Sequence, residues 1–372
     1  MFRIYITAKA LADACLQEQS KEYKEQSSWF RILCRQNKIY TIGYTPPTTD
    51  TLLEDDLSDS AIIAGMNAAF NIDFIPEDGY IKAVKRDHSN VYQQPNAAFF
   101  LDISKEEAQQ IQDEYGVICQ SVDNIDASVF TEECVRFEFV KEKLVKGGWS
   151  DLFEVQSNIP SNSLCIIDRF LFAYDGQNNP NAEYSDKIIY NGLDTILLIL
   201  AAALPNTFKN TYHVTIVCDK KQIKNRLIFQ TLQQHLWDRV SVISHKKGYP
   251  IFAQLIAIDG EVAPYTHRLT HNRQIISNYH RMFFLNGINA IRLYSGSAGM
   301  AEYQQTVQGE LLYGAGLRHQ NSECPVQSVE STQSAFNYVL RKWRTSYEPD
   351  HYYYADNEGN SSIRNFKNRL FS

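Results

Sequence analysis

Apolar, strand-like runs alternate with helical segments in the second half of the chain. Three runs are predicted to be strands, namely Leu164–Asp168, His213–Asp219 and Val240–Ser244, and two segments between them are predicted to be helices, Asn191–Leu204 and Gln222–Trp237. Strands with uninterrupted apolar residues are buried on both faces, as in parallel sheets connected by helices. The pattern therefore predicts a Rossmann-like, layered α/β domain with a mainly parallel sheet.

The first half has a less regular pattern, which predicts a smaller α/β or α+β domain. Its predicted strands are Phe2–Thr7, Phe30–Cys34, Ile39–Gly43, Ala97–Asp102 and Val117–Ser121, and its predicted helices are Lys9–Glu25, Ala61–Phe70 and Ser104–Tyr115. The last helix begins with a capping box, in which Ser104 is the N-cap and Glu107 stands three residues later. It stops at Gly116, directly before a strand, so this segment predicts a β-α-β unit.

Residues 141–162 have the composition of a linker. They are rich in lysine at first, continue through Gly147 and Gly148, and end in the turn-forming sequence around Pro160. A chain of 372 residues is also too long for one ordinary domain. The sequence therefore predicts two domains, residues 1–157 and residues 158–372.

The composition is that of an ordered, globular protein, with 44% hydrophobic and 21% charged residues. Seven cysteines are scattered without a CxxC pair, and Cys165 and Cys218 lie inside apolar strands. This usage is typical of reduced, buried thiols in a cytoplasmic protein and argues against a zinc site or a disulfide framework. We expect neither a cofactor nor a resident metal.

No secretion or membrane signal is apparent. The strand-like sequence Phe2–Ile6 follows Met1 directly, and the longest apolar stretch, Ile196–Leu204, has about half the length that crosses a bilayer. The net charge of −7 gives no overall attraction to a polyanion. Any binding to nucleic acid must therefore come from a local patch of positive charge.

Asp168 and Asp219 each fall at the carboxyl end of a predicted strand. Open α/β sheets bind their ligands at this edge, so the two carboxylates are candidates for a metal or ligand site. The alternative is structural, because an aspartate after a strand often caps the next turn or helix.

Four cations stand at the start of the helix predicted after Asp219: Lys220, Lys221, Lys224 and Arg226. Positive side chains at the positive end of a helix dipole are unfavourable by a few tenths to about 1 kcal/mol each. Their placement favours an anion such as a phosphate at this end. The alternative is a solvated surface with Asp219 and Asp238 as counter-charges.

The segment from His271 to Asn278 carries the spacing His-x-Arg-x4-Asn, with Arg273 as the central cation. It resembles the His-x-Lys-x4-Asp signature of the phospholipase D superfamily, whose histidine attacks phosphorus and whose lysine binds phosphate oxygens. The resemblance implies a phospholipase-D-like α/β domain in which His271 is the nucleophile and Arg273 and Asn278 contact the ligand. Alternation along a strand would place His271 and Arg273 on the same face.

The segment departs from the family signature at two of its three positions. Arg273 replaces a lysine but keeps the cationic contact, whereas Asn278 replaces a carboxylate. Only one copy of the motif is present, although the chemistry needs one histidine to attack and another to protonate the leaving group. An active enzyme would therefore have to be a homodimer that shares a site across its interface.

The end of the chain combines aromatic and basic residues. Ser334–Tyr347 is predicted to be an amphipathic helix, and His351–Tyr354 is followed by the cations Arg364, Lys367 and Arg369. Aromatic rings mixed with cations are typical of proteins that bind single strands, but an aromatic-rich chain also produces such clusters in its core.

Three functions are compatible with these patterns. The first is a non-catalytic accessory protein that holds a phosphate-bearing partner, a nucleic acid or a nucleotide, while its N-terminal domain contacts another protein. The second is a dimeric phospholipase-D-like nuclease or phosphodiesterase with His271 as nucleophile, and the third is a metal-dependent phosphohydrolase that uses Asp168 and Asp219. By analogy alone, such an arrangement of domains is typical of accessory proteins in prokaryotic defence or mobile elements.

Overall fold

The computed structural model describes residues 3–7, 10–11, 38–42, 72–75, 97–126, 136–139, 149–154, 159–172, 186–223, 225–260, 273–284, 288, 307–311, 334–342 and 351–370. The chain divides into two units, Met1–Arg136 with Glu310–Ser328, and Phe137–Gly309 with Val329–Ser372. This division lies before the boundary predicted near residue 158. Helix α2 (Trp149–Glu154) contributes Trp149, Leu152 and Phe153 to the core of the second unit.

The first unit contains a five-stranded parallel sheet. Its strands are β1 (Arg3–Thr7), β2 (Lys38–Ile42), β3 (Ile72–Ile75), β4 (Ala97–Leu101) and β5 (Ile118–Ser121), in the order β3-β2-β1-β4-β5. All four pairs are parallel, so the first unit is α/β. Tyr5 is in register with Tyr40 and Phe99, and its ring stacks on each at 5.0 Å.

Helix α1 (Lys105–Tyr115) confirms the predicted capping box. The hydroxyl of Ser104 accepts a hydrogen bond from the backbone N–H of Glu107, whose carboxylate accepts one from the backbone N–H of Ser104. Hydrogen bonds that the backbone N–H and the hydroxyl of Ser104 donate to this carboxylate lower the pKa of Glu107. Gly116 ends the helix at φ 63°, a conformation that glycine adopts without strain. Of the other elements predicted in this half, Phe30–Cys34, Ala61–Phe70 and most of Lys9–Glu25 lie outside the described residues.

The second sheet has eight strands in the order β13-β9-β8-β7-β10-β11-β12-β6. They are β6 (Arg136–Phe139), β7 (Ser163–Ile167), β8 (Tyr212–Asp219), β9 (Ile251–Ile258), β10 (Gln274–Ser277), β11 (His280–Phe284), β12 (Val307–Leu311) and β13 (Tyr352–Asp356). Strands β7, β8 and β9 are parallel neighbours, whereas β10 runs antiparallel to β7 and to β11, and β13 antiparallel to β9. The sheet is thus mixed rather than mainly parallel.

Helices cover one face of this sheet. Helix α3 (Asp186–Ala203) connects β7 to β8, and α4 (Arg226–Lys247) connects β8 to β9. The two helices pack against each other, and α2 packs against α3. Right-handed connections between successive parallel strands place both helices on the same side. Alternate residues of the strands, including Leu164, Val214 and Leu255, form the core beneath them.

The prediction of a third strand at Val240–Ser244 is wrong. These residues belong to α4, because Val240 and Ile243 continue the buried helical stripe that begins at Phe229. The helix ends at Gly248, where φ is 80°. The third parallel strand is β9, all of whose residues are buried.

The opposite face of the sheet is covered by the end of the chain. Residues 334–342 are helical, which confirms part of the predicted helix, and Phe336 stacks on Phe366 at 5.8 Å. The fully buried amide of Gln254 donates to the Thr215 hydroxyl at 3.0 Å and accepts from the Lys367 backbone N–H at 2.9 Å. These hydrogen bonds join the last segment to the middle of the sheet.

A buried histidine makes the stability of the second unit pH-dependent. His280 pairs with the Ser277 hydroxyl, and burial lowers its pKa to about 3. An unfolded histidine has a pKa of about 6.5, so below that pH the unfolded chain takes up a proton that the folded protein does not. Stability is therefore lost as the pH falls from about 6.5, by roughly 1 kcal/mol between pH 7 and pH 5.5 for this residue.

We expect His280→Asn to reduce this acid sensitivity. The measurement is urea unfolding at pH 7 and pH 5.5, compared with wild type and with His245→Asn, which changes an exposed histidine in the last turn of α4. His280→Asn should lose less stability between the two pH values, and His245→Asn should behave like wild type. An equal loss in all three proteins would contradict the assignment.

Candidate functional site

Five neighbouring strands bring their ends to one edge of the second sheet. Parallel strands β7, β8 and β9 end there, and Asp219 of β8 is in register with Ile258 of β9. The antiparallel strands β10 and β13 begin there, because Gln274 pairs with Ile167 and Tyr352 pairs with Ile258. We call this the carboxyl edge.

Asp168 follows β7 directly and is fully buried at the carboxyl edge. One carboxylate oxygen accepts a hydrogen bond from the backbone N–H of Phe170 at 2.8 Å, and the other from that of Ile288 at 2.6 Å. Burial raises the pKa of Asp168, whereas these hydrogen bonds and the charge of Arg273 act in the opposite direction. The carboxylate therefore holds the segment after β7 against residue 288.

Asp219, the last residue of β8, lies at this edge, as predicted, and is also fully buried. Its Oδ1 accepts from the backbone N–H of Lys221 at 2.9 Å, and its Oδ2 accepts from Nε of Arg169 at 2.9 Å. Asp219 thereby caps the 3₁₀ turn Lys220–Gln222 and fixes the side chain of Arg169.

The donors around the two carboxylates disfavour a divalent cation. Every carboxylate oxygen of Asp168 and Asp219 accepts from an N–H group, and Arg169 and Arg273 add positive charge. Within the described part of the chain, no group of three or more His, Cys, Asp or Glu side chains is arranged to hold a metal ion. The geometry therefore fits carboxylates that position other groups.

Two arginines flank an exposed aromatic ring beside Asp168. The guanidinium carbons of Arg169 and Arg273 each lie 5.4 Å from the ring centroid of Phe170. The Phe170 side chain is 39% exposed, although it is large and apolar. Contact with an aromatic face orders a guanidinium group. The arrangement is therefore a small, ordered cationic surface.

Arg169 and Phe170 were not predicted from the sequence. The pairing of β10 with β7 brings Arg273 beside them, although Arg273 is more than a hundred positions further along the chain. The sequence alone does not show that Phe170 is exposed.

The basic residues near Asp219 are arranged differently from the prediction. Helix α4 begins at Arg226 with Asn225 as its N-cap, so Lys220 and Lys221 precede it in the separate 3₁₀ turn. The unfavourable helix-dipole argument therefore applies to Arg226 alone among the described cations. The Lys220 ammonium lies 4.7 Å from the Tyr353 ring centroid. Lys224 lies outside the described residues.

The motif from His271 to Asn278 is spread along the sheet. Arg273 lies at the carboxyl edge, whereas Asn278 follows β10 at the opposite end, since Ser277 pairs with Leu164. Five residues of extended chain span roughly 17 Å. Asn278 is fully buried, and its Oδ1 accepts from the backbone N–H of Asn162 at 3.1 Å. Asn278 holds the turn between β10 and β11, so the structure does not bring it together with Arg273, and its contact with a ligand stays a prediction.

His271 lies outside the described residues, so its role as a nucleophile and the resemblance to phospholipase D stay predictions.

Cys165 and Cys218 are buried free thiols in β7 and β8, as expected. No helix in the described ranges is both long and apolar enough to cross a membrane.

Compared with known protein families and with curated proteins, the chain matches none.

Proposed function

We propose that the protein binds a phosphate-bearing partner, a nucleic acid or a nucleotide, at the carboxyl edge of its second sheet. The observation that carries the proposal is the pair of guanidinium groups of Arg169 and Arg273 on the exposed ring of Phe170. Guanidinium groups bind phosphate through paired hydrogen bonds, which makes this arrangement suitable for a phosphate oxygen pair.

The position of the three residues within the sheet supports the proposal. Strands β8 and β9 follow one another on one side of β7 in the sheet, but the next strand in the chain, β10, lies on the other side of β7. Ligands of open α/β sheets bind outside the carboxyl ends of the strands where the strand order reverses. Arg169 and Phe170 follow β7, and Arg273 precedes β10, so they lie at that point.

The proposal is one of binding without catalysis, as in an accessory protein. Asp168 and Asp219 are engaged with N–H donors, and their buried negative charges hold the cations at the edge. A protein with a net charge of −7 needs such a local arrangement to attract an anion.

Arg273→Ala is expected to weaken binding of a fluorescein-labelled oligonucleotide about tenfold at low salt. The salt dependence of log K should also become shallower by about one unit for each lost phosphate contact. Arg273→Lys keeps the charge but not the paired hydrogen bonds, so its affinity should lie between those of Arg273→Ala and wild type. Fluorescence anisotropy at several salt concentrations measures these quantities.

Lys246→Ala is the matched control for charge. Lys246 is exposed in the last turn of α4, at the end of the helix away from the carboxyl edge. Its removal should leave the affinity and the salt slope close to those of wild type. The proposal fails if wild type binds no phosphate-bearing ligand at low salt, or if Arg273→Ala and Lys246→Ala behave alike.

A further inference from the structure

We infer that the partner is a single-stranded nucleic acid that lies along the carboxyl edge, from Phe170 at one end to a cavity beside Tyr353 at the other. This inference rests on the proposed function, because it names the class of partner that the same edge binds. Three observations carry it: a second cation-aromatic pair, the distance between the two pairs, and the exposed apolar side chains near them.

The second pair lies where α4 begins beside β13. Lys220 is positioned over the ring of Tyr353 at 4.7 Å, and the ring centroids of Tyr353 and Phe229 lie 5.3 Å apart. A cavity of about 70 Å³ opens here, lined by Arg226, Phe229, Tyr352, Tyr353, Tyr354 and Ser361. Both ends of the edge thus combine cations with aromatic rings, the combination that binds phosphates and bases of single strands.

The two pairs are too far apart for one nucleoside monophosphate. Phe170 follows β7, and Tyr353 belongs to β13, which lies three strands away in the order β7-β8-β9-β13. At ~4.8 Å between strands, the separation is about 14 Å. A single strand that keeps the ~3.4 Å spacing of stacked bases covers this distance with about four nucleotides.

Exposed apolar side chains favour a single strand over a duplex. Among the residues that the structure describes, three large hydrophobic side chains are exposed, and two of them, Phe170 and Leu227, lie near the two ends of the edge. Leu227 is 70% exposed and directly follows Arg226 at the start of α4. A duplex presents phosphates while its base faces are stacked inside, whereas a single strand offers base faces to apolar groups.

The test is anisotropy with labelled thymidine oligonucleotides of one, two, four, eight and twelve residues, their RNA equivalents, a 12-base-pair duplex and a labelled adenine nucleotide. We expect affinity to rise steeply up to about four to six nucleotides and more slowly beyond. The 12-mer single strand should bind at least tenfold more tightly than the duplex in equal salt.

Variants at the two ends distinguish one continuous track from one local site. Lys220→Ala and Arg226→Ala are each expected to weaken the 12-mer about three- to tenfold, as Arg273→Ala does, while Lys246→Ala leaves it unchanged. With the dinucleotide, changes at the two ends should not have equal effects, because the dinucleotide is too short to contact both. Circular dichroism confirms that each variant is folded.

Three results would overturn the inference while leaving the proposed function intact. Affinity that is already complete with a mononucleotide would identify a nucleotide site, and equal or tighter binding of the duplex would identify a surface that contacts the phosphate backbone alone. If both Lys220→Ala and Arg226→Ala bind the 12-mer as tightly as wild type, the strand does not contact the Tyr353 end of the carboxyl edge. Failure of wild type to bind any of these ligands would instead reject the proposed function itself.

Discussion

Replacing Gly192 with alanine should lower the free energy of unfolding of the second unit by about 3 kcal/mol, a large effect for a single methyl group. Gly192 is a buried residue of α3. A Cβ atom at this position would lie 2.4 Å from the carbonyl oxygen of Leu171 and 2.7 Å from Cδ1 of Phe172. The clash with the backbone oxygen can be relieved only if the helix or the segment after β7 moves.

Helix propensity alone predicts the opposite change in the free energy of unfolding for Gly192→Ala. Alanine is favoured over glycine inside a helix by about 1 kcal/mol, so an open position would be stabilised by the change. Urea unfolding measures the difference. Gly192→Ala that is as stable as wild type, or more stable, would show that α3 does not pack this closely on Leu171.

Gly248→Ala provides the control for glycine replacement. Gly248 adopts φ 80° at the end of α4, and nothing lies within 4 Å of a Cβ atom there. Gly248→Ala should therefore lower the free energy of unfolding by about 1 to 2 kcal/mol through backbone strain alone, without a clash.

Because Leu171 and Phe172 directly follow Arg169 and Phe170, Gly192→Ala should also weaken oligonucleotide binding at temperatures where it remains folded, whereas Gly248→Ala should not.

The elements predicted correctly from the sequence are those that local residues determine. Ser104 and Glu107 specify the start of α1 within a few positions, and uninterrupted apolar runs specify β7 and β8. The α4 segment misled the prediction because Val240, Val242 and Ile243 are β-branched, which favours strands locally. Packing of the buried stripe against the sheet overrides that preference.

The candidate site was only partly predictable, since its geometry depends on strand pairing between distant segments. Asp168 and Asp219 could be placed at one edge because consecutive parallel strands end on the same side. Arg273 joins them because β10 is antiparallel to β7, and no local pattern specifies that direction. The same pairing separates Arg273 from Asn278, which the motif spacing had grouped together.

Asp168→Ala should lower the free energy of unfolding of the second unit by about 3 to 4 kcal/mol. The change leaves the part-buried N–H of Phe170 and the buried N–H of Ile288 without this acceptor, and an unsatisfied buried donor costs roughly 1 to 3 kcal/mol. It also removes the buried negative charge beside Arg273. Asp219→Ala should cost less, about 2 kcal/mol, because its partner Arg169 is partly exposed and regains water.

These variants, examined with and without a divalent cation, separate a positioning role of the carboxylates from a metal-binding role. If Asp168 and Asp219 hold Arg169, Phe170 and Arg273 in place, 5 mM EDTA or 5 mM Mg²⁺ should leave the melting temperature of wild type unchanged. Asp219→Ala should then weaken oligonucleotide binding severalfold by releasing Arg169, and Asp219→Asn, which keeps one acceptor oxygen, should recover part of it. A metal site predicts instead that EDTA lowers the melting temperature of wild type but not of Asp219→Ala, because removing a ligand abolishes the linkage between metal binding and folding. That result would favour a metal-dependent phosphohydrolase over the binding function proposed for this edge.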